Sequence, residues 1–164
     1  MELIKSYFIK NHLQKISKTK QDKIIIPNEI SSIAIIANTE EELKSCEESL
    51  AVNFGESVEI SIYYFSKKDE EFGISSKDFN LFGQPKERIK RFLEKKVDFI
   101  LTPSLNLNPY LLYLLLHSKT GLRVGFWSLE NKEFLDLMLD QKENSLKENI
   151  QNLLDYLIKI KAAC

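Results

Sequence analysis

Glycine and proline are scarce in this 164-residue chain, at five and four, and there are only two cysteines, two histidines and one tryptophan. So few glycines leave few places where the backbone can close around a phosphate group. Cys46 and Cys164 form no close pair, and the histidines stand at positions 12 and 117. No zinc-ligand spacing results, and no metal site or cofactor is expected. Isolated thiols of this kind read as surface groups in a reducing compartment.

Charge of one sign is also missing. Lysine and arginine total 23 against 24 aspartates and glutamates, a net charge of -1. The whole molecule therefore exerts no general pull on nucleic acid or an anionic membrane. No apolar run approaches the ~18 residues of a transmembrane helix. The N-terminal segment MELIKSYFIKNHLQKISKTK is broken by lysines every few residues, unlike the continuous apolar core of a secretion signal. A cytoplasmic location is expected.

What is present suits one globular α/β chain, with 43% hydrophobic and 29% charged residues. Residues 1–27 read as a basic amphipathic helix and linker, and residues 28–164 as a single domain. In the helix, Leu3, Ile4, Tyr7 and Phe8 share a face that Leu13 and Ile16 roughly extend. Six lysines against Glu2 and Asp22 leave +4 over residues 1–23, hence -5 over the rest.

Residues 31–38, SSIAIIAN, lack polar alternation, as a central parallel strand buried on both faces should. Thr39 and Glu42 then form a capping box for a helix that runs to about Phe54 and ends at Gly55. Residues 57–66 form a second strand with Val58, Ile60, Ile62 and Tyr64 on one face. The stretch SSKDFNLFGQP suggests a short edge strand and a turn at Gly83–Pro85, with Pro85 opening the next helix. Residues 97–102 are again a continuous β run. Asn108 and Pro109 have the form of an N-cap and first helical residue, for a helix reaching about Ser118. Further strands are expected at 122–127 and 134–140, the latter at an edge, and an amphipathic helix closes the chain. There Leu146, Ile150, Leu153, Leu154 and Leu157 face inward. Strands alternating with helices predict a Rossmann-like three-layer fold, with a mostly parallel sheet of five or six strands and an extra N-terminal helix.

In such sheets ligands sit at the carboxyl ends of the strands. The first strand-to-helix loop, ANTEEE, has no glycine, and its three glutamates at the helix start favour the helix dipole but repel phosphate. The loop TPSLNLN offers Thr102, Ser104, Asn106 and Asn108, with Arg123 nearby, as a polar ligand-binding set. Serving backbone turns and caps is the competing role for such residues. His117 and Ser118 are sequence neighbours without an orienting acid, and Asp136 and Asp140 fit a solvated edge. No catalytic residues are assigned. In SKTGLRVGFW, Gly121 reads as the glycine ending the preceding helix. Gly125 lies inside a strand, where a missing side chain permits close approach. The segment follows a helix and opens a strand, the reverse of a phosphate cradle.

The stretches DFNLFGQPK, VDFILTPS and SKTGLRVGF, followed by LDLML, resemble an uncharacterised bacterial, Bacteroidetes-type family of unknown function. Phe82, Gly83, Asp98, Ser118, Gly125 and Phe126 match its recurring positions. The resemblance implies a fold and no activity. Residues 97–126 also look like the strand–helix–strand of the N-terminal Rossmann-like half of heptosyltransferase-type GT-B glycosyltransferases. Those enzymes hold the donor nucleotide largely in their C-terminal half, which has no counterpart in these residues, so this likeness implies architecture rather than the reaction.

The sequence thus favours a non-catalytic binding or scaffold protein over an enzyme. The helix PYLLYLLL is apolar all round and must be covered twice. Tyr110, Leu111, Tyr113 and Leu114 would meet either a partner, a second copy included, or the chain's own N-terminal helix. The alternatives are a small-molecule or nucleotide-sugar binding domain using the 102–108 loop, and association with RNA, ribosomes or an anionic membrane through the lysines of residues 1–23.

Overall fold

The computed structural model describes residues 1–19 and 23–164. Lys20 and Asp22, two of the charged residues of the basic N-terminal segment, lie outside the described residues. Six strands form one sheet: β1 (Ser32–Ala37), β2 (Glu59–Phe65), β3 (Gly73–Ile74), β4 (Phe99–Thr102), β5 (Arg123–Phe126) and β6 (Leu137–Leu139). The order is β3-β2-β1-β4-β5-β6 and every pairing is parallel. The order reverses between β1 and β4, which are the two central strands. They are short, continuous apolar runs because each buries both faces. Ile33, Ile35, Phe99 and Leu101 point to one side, and Ala34, Ile36 and Ile100 to the other.

The first side is covered by α2 (Glu40–Phe54) and α5 (Leu146–Ala163). The second is covered by α1 (Glu2–Thr19), α3 (Glu87–Glu94) and α4 (Pro109–His117). This is the expected three-layer Rossmann-like α/β architecture.

Local signals place several ends as anticipated. Thr39 caps α2 through its hydroxyl while Glu42 returns a carboxylate to the Thr39 N–H, and Gly55 ends the helix at φ 69°. Asn108 caps α4 with Pro109 in the first turn. Leu146, Ile150, Leu153, Leu154 and Leu157 of α5 pack on the sheet.

Other expectations are corrected. Ile9 and Leu13 are the buried residues of α1 among those described, whereas Leu3, Ile4, Tyr7 and Phe8 face solvent. The inward stripe is set by α4 and by the 80–84 turn, both remote in sequence, and not by the densest apolar cluster. Full burial of Ile9 contributes about 1.5–3 kcal/mol toward holding α1 in place. The rings of His12, Tyr113 and His117 stack there, and the Nε2 atoms of His12 and His117 are 3.1 Å apart.

The edge strand expected within SSKDFNLFGQP is β3, which lies just before that stretch, and β6 forms the opposite edge. Within that stretch Ser75 and Asp78 instead cap a 3-10 turn reciprocally. Gly121 does not end α4, whose last turn is closed by the Ser118 N–H bonding Leu114 O. At Gly121 a Cβ would lie 2.7 Å from Cβ of Ile25, so the bare backbone makes room for the chain that passes over it. Cys46 is buried, not a surface thiol; burial, and then Glu42 and Glu47, push its pKa up.

Candidate functional site

Parallel strands all release their loops at one end of the sheet, and the reversal of order parts the loops of β1 and β4. A cleft of about 670 Å³ opens at this place. Its walls come from Asn38 after β1, Phe65 at the end of β2, Asn106 to Pro109 after β4, and Leu129, Glu130, Glu133 and Phe134 after β5. Lys10, Leu13 and Gln14 of α1 close it on one side.

Asn38 organises the cleft. Its Nδ2 donates to Asn106 O at 2.7 Å, and its Oδ1 accepts from the Asn108 N–H at 2.8 Å. One side chain thus joins the end of β1 to the loop that begins α4. Asn131, itself buried, does the same on the other side, donating through Nδ2 to both Ser104 O and Phe126 O at 2.9 Å. The rim is therefore held by side-chain-to-backbone bonds rather than left as free loop.

Glu42 decides what this end of the sheet cannot take. Its Oε2 accepts from the Asn38 N–H at 3.1 Å, the Thr39 N–H at 3.2 Å and the Ser104 hydroxyl at 2.9 Å. In a phosphate-binding loop those helix-start donors face the anion. Here the chain's own carboxylate occupies the position, and Glu40 and Glu41 stand in the same first turn.

The ligand set expected from the sequence is divided by the fold. Asn106 and Asn108 line the cleft. Ser104 is buried and bonds Glu42 and the Asn38 N–H, beneath the rim. Thr102 is buried against Gly125, and its hydroxyl has no partner among the described residues. Arg123 starts β5, at the opposite end of the strand from the cleft; its Nε donates to Leu115 O at 2.9 Å, and Nη1 lies 3.9 Å from Asp136 Oδ2. Spacing along the sequence put Arg123 near the loop, but parallel pairing puts its residue at the amino end of the sheet. Asp136 accepts from the Arg123 backbone N–H at 2.7 Å, so it serves the sheet edge.

Tyr110, Leu111, Tyr113 and Leu114 are all buried, packed with Ile9 and Leu13 of α1 and with Phe79. The second cover of α4 is thus the chain's own N-terminal helix. Ser118 donates its hydroxyl to Leu114 O at the helix end, away from His117, whose Nδ1 lies 3.1 Å from Tyr113 O.

Sequence reasoning missed Asn38, Phe65, Phe134 and the α1 residues of the cleft. Only Asn38 carried a local signal, as the first polar residue after a buried strand. Among the described residues no helix is long and apolar enough to cross a membrane, and no group of three or more His, Cys, Asp or Glu side chains converges as a metal site would require.

A search of curated proteins finds no match to this chain. The model of a family of unknown function, DUF6913, matches residues 4–160, nearly the full length, and the chain belongs to that family.

Proposed function

We propose that this chain is a small-molecule binding protein whose ligand sits in the cleft between the β1 and β4 loops. The observation that supports this reading is the cleft itself, about 670 Å³ in volume, at the switch point of the sheet. That volume lies within the range of small-molecule sites, roughly 300–1,000 Å³. Leu13, Leu107, Leu112, Phe65 and Phe134 supply an apolar lining, and Asn106, Asn108, Gln14, Lys10, Glu130 and Glu133 supply polar groups. This pairing suits a partly apolar molecule that carries hydrogen-bond donors for the two glutamates. With Glu42 filling the helix-start anion position, the ligand is not a phosphate ester held in the manner of a dinucleotide.

Binding, rather than turnover, fits the polar groups present. Both polar atoms of the Asn38 side chain are committed to backbone partners, and among the described residues no hydroxyl or thiol lines the cleft beside a base. The test is ligand-observed NMR of the protein against neutral and amine-bearing fragments, with Asn106→Trp as a filled-cleft control. Fragments that bind the native chain and not the variant support the reading. No hits, or hits indifferent to Asn106→Trp, sink it.

A further inference from the structure

The first two turns of α1 display apolar side chains away from the protein. Leu3 is 86% exposed, Tyr7 62%, and Phe82 on the neighbouring turn 70%, with Ile4 and Phe8 exposed as well. Scattered exposed apolar residues need no explanation, but a contiguous set does. Ring contacts show the continuity: Tyr7 meets Phe8 at a centroid distance of 5.9 Å, and Phe8 meets Phe82 at 6.1 Å, both edge to face.

Phe82 is held out by a built turn. Asn80 Oδ1 accepts from the N–H groups of Phe82 and Gln84, each at 2.9 Å. Gly83 takes φ 73°, and a Cβ there would stand 2.8 Å from Cγ1 of Ile9. The turn is therefore pressed onto α1 through its glycine, which leaves the adjacent ring pointing outward.

Charge surrounds this crest on one flank. A second cleft, of about 790 Å³, runs between α1 and the turn; Phe8, His12, Phe82, Lys15, Lys86 and Lys90 are among its lining residues, and among the described residues no carboxylate is. Helical periodicity puts Lys10 and Gln14 on the other flank of α1, toward the switch-point cleft, where Glu130 and Glu133 stand as well, so the basic flank is the one along the second cleft. Exposed apolar side chains beside Lys86 and Lys90 suit an occupant that is both anionic and apolar. Leu3 and Ile4 offer no plane for a nucleobase, and the Phe8 and Phe82 rings engage each other edge to face instead of standing open as stacking plates. Lysines, with flexible apolar stems and ammonium heads, suit lipid headgroups around a hydrocarbon-seeking centre.

We propose that this face docks on an anionic bilayer surface. Leu3, Ile4, Tyr7 and Phe82 enter the headgroup region, while Lys86 and Lys90 lie over lipid phosphates. The attachment is peripheral and combines two weak attractions, apolar insertion and electrostatic attraction to anionic lipid. It leaves the switch-point cleft unused, so it stands or falls independently of small-molecule binding.

The experiment is flotation of the full chain with vesicles of phosphatidylcholine alone, and with a quarter of the lipid replaced by phosphatidylglycerol, at low and high salt. Flotation with the anionic vesicles is expected, weakened by salt. Leu3→Glu and Phe82→Glu should each reduce the partition coefficient by roughly tenfold or more. Both replace exposed side chains, and circular-dichroism melts matching the native chain confirm that the fold is kept. Lys86→Glu with Lys90→Glu should act as strongly as high salt. Absence of flotation overturns the proposal, as does flotation that neither Leu3→Glu nor Phe82→Glu alters. A dimer that Phe82→Glu converts to monomer, or single-stranded RNA bound by a chain that ignores vesicles, assigns the face to another partner and also overturns it.

Discussion

Asn38→Ala is the substitution that bears most directly on how the cleft is built. It deletes the 2.7 Å bond to Asn106 O and the 2.8 Å bond from the Asn108 N–H. Each such hydrogen bond contributes about 0.5–1.5 kcal/mol net, so the loss should be about 1–3 kcal/mol. Asn38→Asp separates the two bonds. It keeps an acceptor for Asn108 but sets a carboxylate oxygen against the carbonyl of Asn106, close to Glu42, whose Oε2 lies 3.1 Å from the Asn38 nitrogen. At neutral pH the aspartate should therefore cost at least as much as the alanine. It should recover in part as acid protonates it, because the protonated form regains a donor. Urea unfolding is the assay: the midpoint should fall with the slope unchanged. Thermal midpoints should drop by about 2–4 °C per kcal/mol for a chain of this size. Both variants lying within about 0.5 kcal/mol of the native chain would refute the reasoning. So would Asn38→Asp being clearly more stable than Asn38→Ala at pH 7.

Gly125→Ala should destabilise by about 1–3 kcal/mol, read by the same unfolding curves, because its Cβ would lie 2.6 Å from both Thr102 O and Leu135 Cδ1 and the strand pairing holds the oxygen in place. A neutral outcome would mean that β4 and β5 shift apart freely. Thr102→Val should stabilise by about 1 kcal/mol, since the hydroxyl it removes is buried without a partner among the described residues; a destabilised valine variant would show that the hydroxyl is satisfied. Asp98 governs an acid limb: burial raises its pKa, but bonds from the N–H groups and hydroxyls of Ser31 and Ser32 outweigh that and leave it lowered. A lowered folded pKa means stabilisation that is full above the unfolded value of about 3.9 and lost as pH falls through the folded one. Stability curves of the native chain and Asp98→Asn should therefore converge in acid, and curves that stay parallel across that window would refute the assignment.

Much of the fold was legible because its signals are local. The Thr39–Glu42 capping box, the Asn108–Pro109 helix start and Gly55 each act within a few residues, so their neighbours in sequence are their neighbours in space. The two-sided burial of β1 and β4 was equally readable, since a strand covered on both faces cannot carry polar alternation. Half of the proposed ligand loop, Asn106 and Asn108, does line the cleft. Arg123 does not, because strand direction sets which end of the sheet a residue occupies, and that is invisible in spacing alone.

By itself the sequence determined an alternating α/β chain with a parallel sheet, helices with definite ends, and a first loop hostile to phosphate. Each of these follows from short-range sterics, hydrogen bonding or periodicity. Tertiary structure decided which face of α1 is buried, what covers α4, and where Asn38 meets the loop after β4. Those outcomes depend on contacts between residues such as Ile9 and Gly83, or Asn38 and Asn108. Only chain closure brings these groups together, so a reading of neighbours along the sequence does not contain them. Tertiary packing therefore left Leu3, Ile4, Tyr7 and Phe8 on the outside, although their pattern reads as an inward stripe.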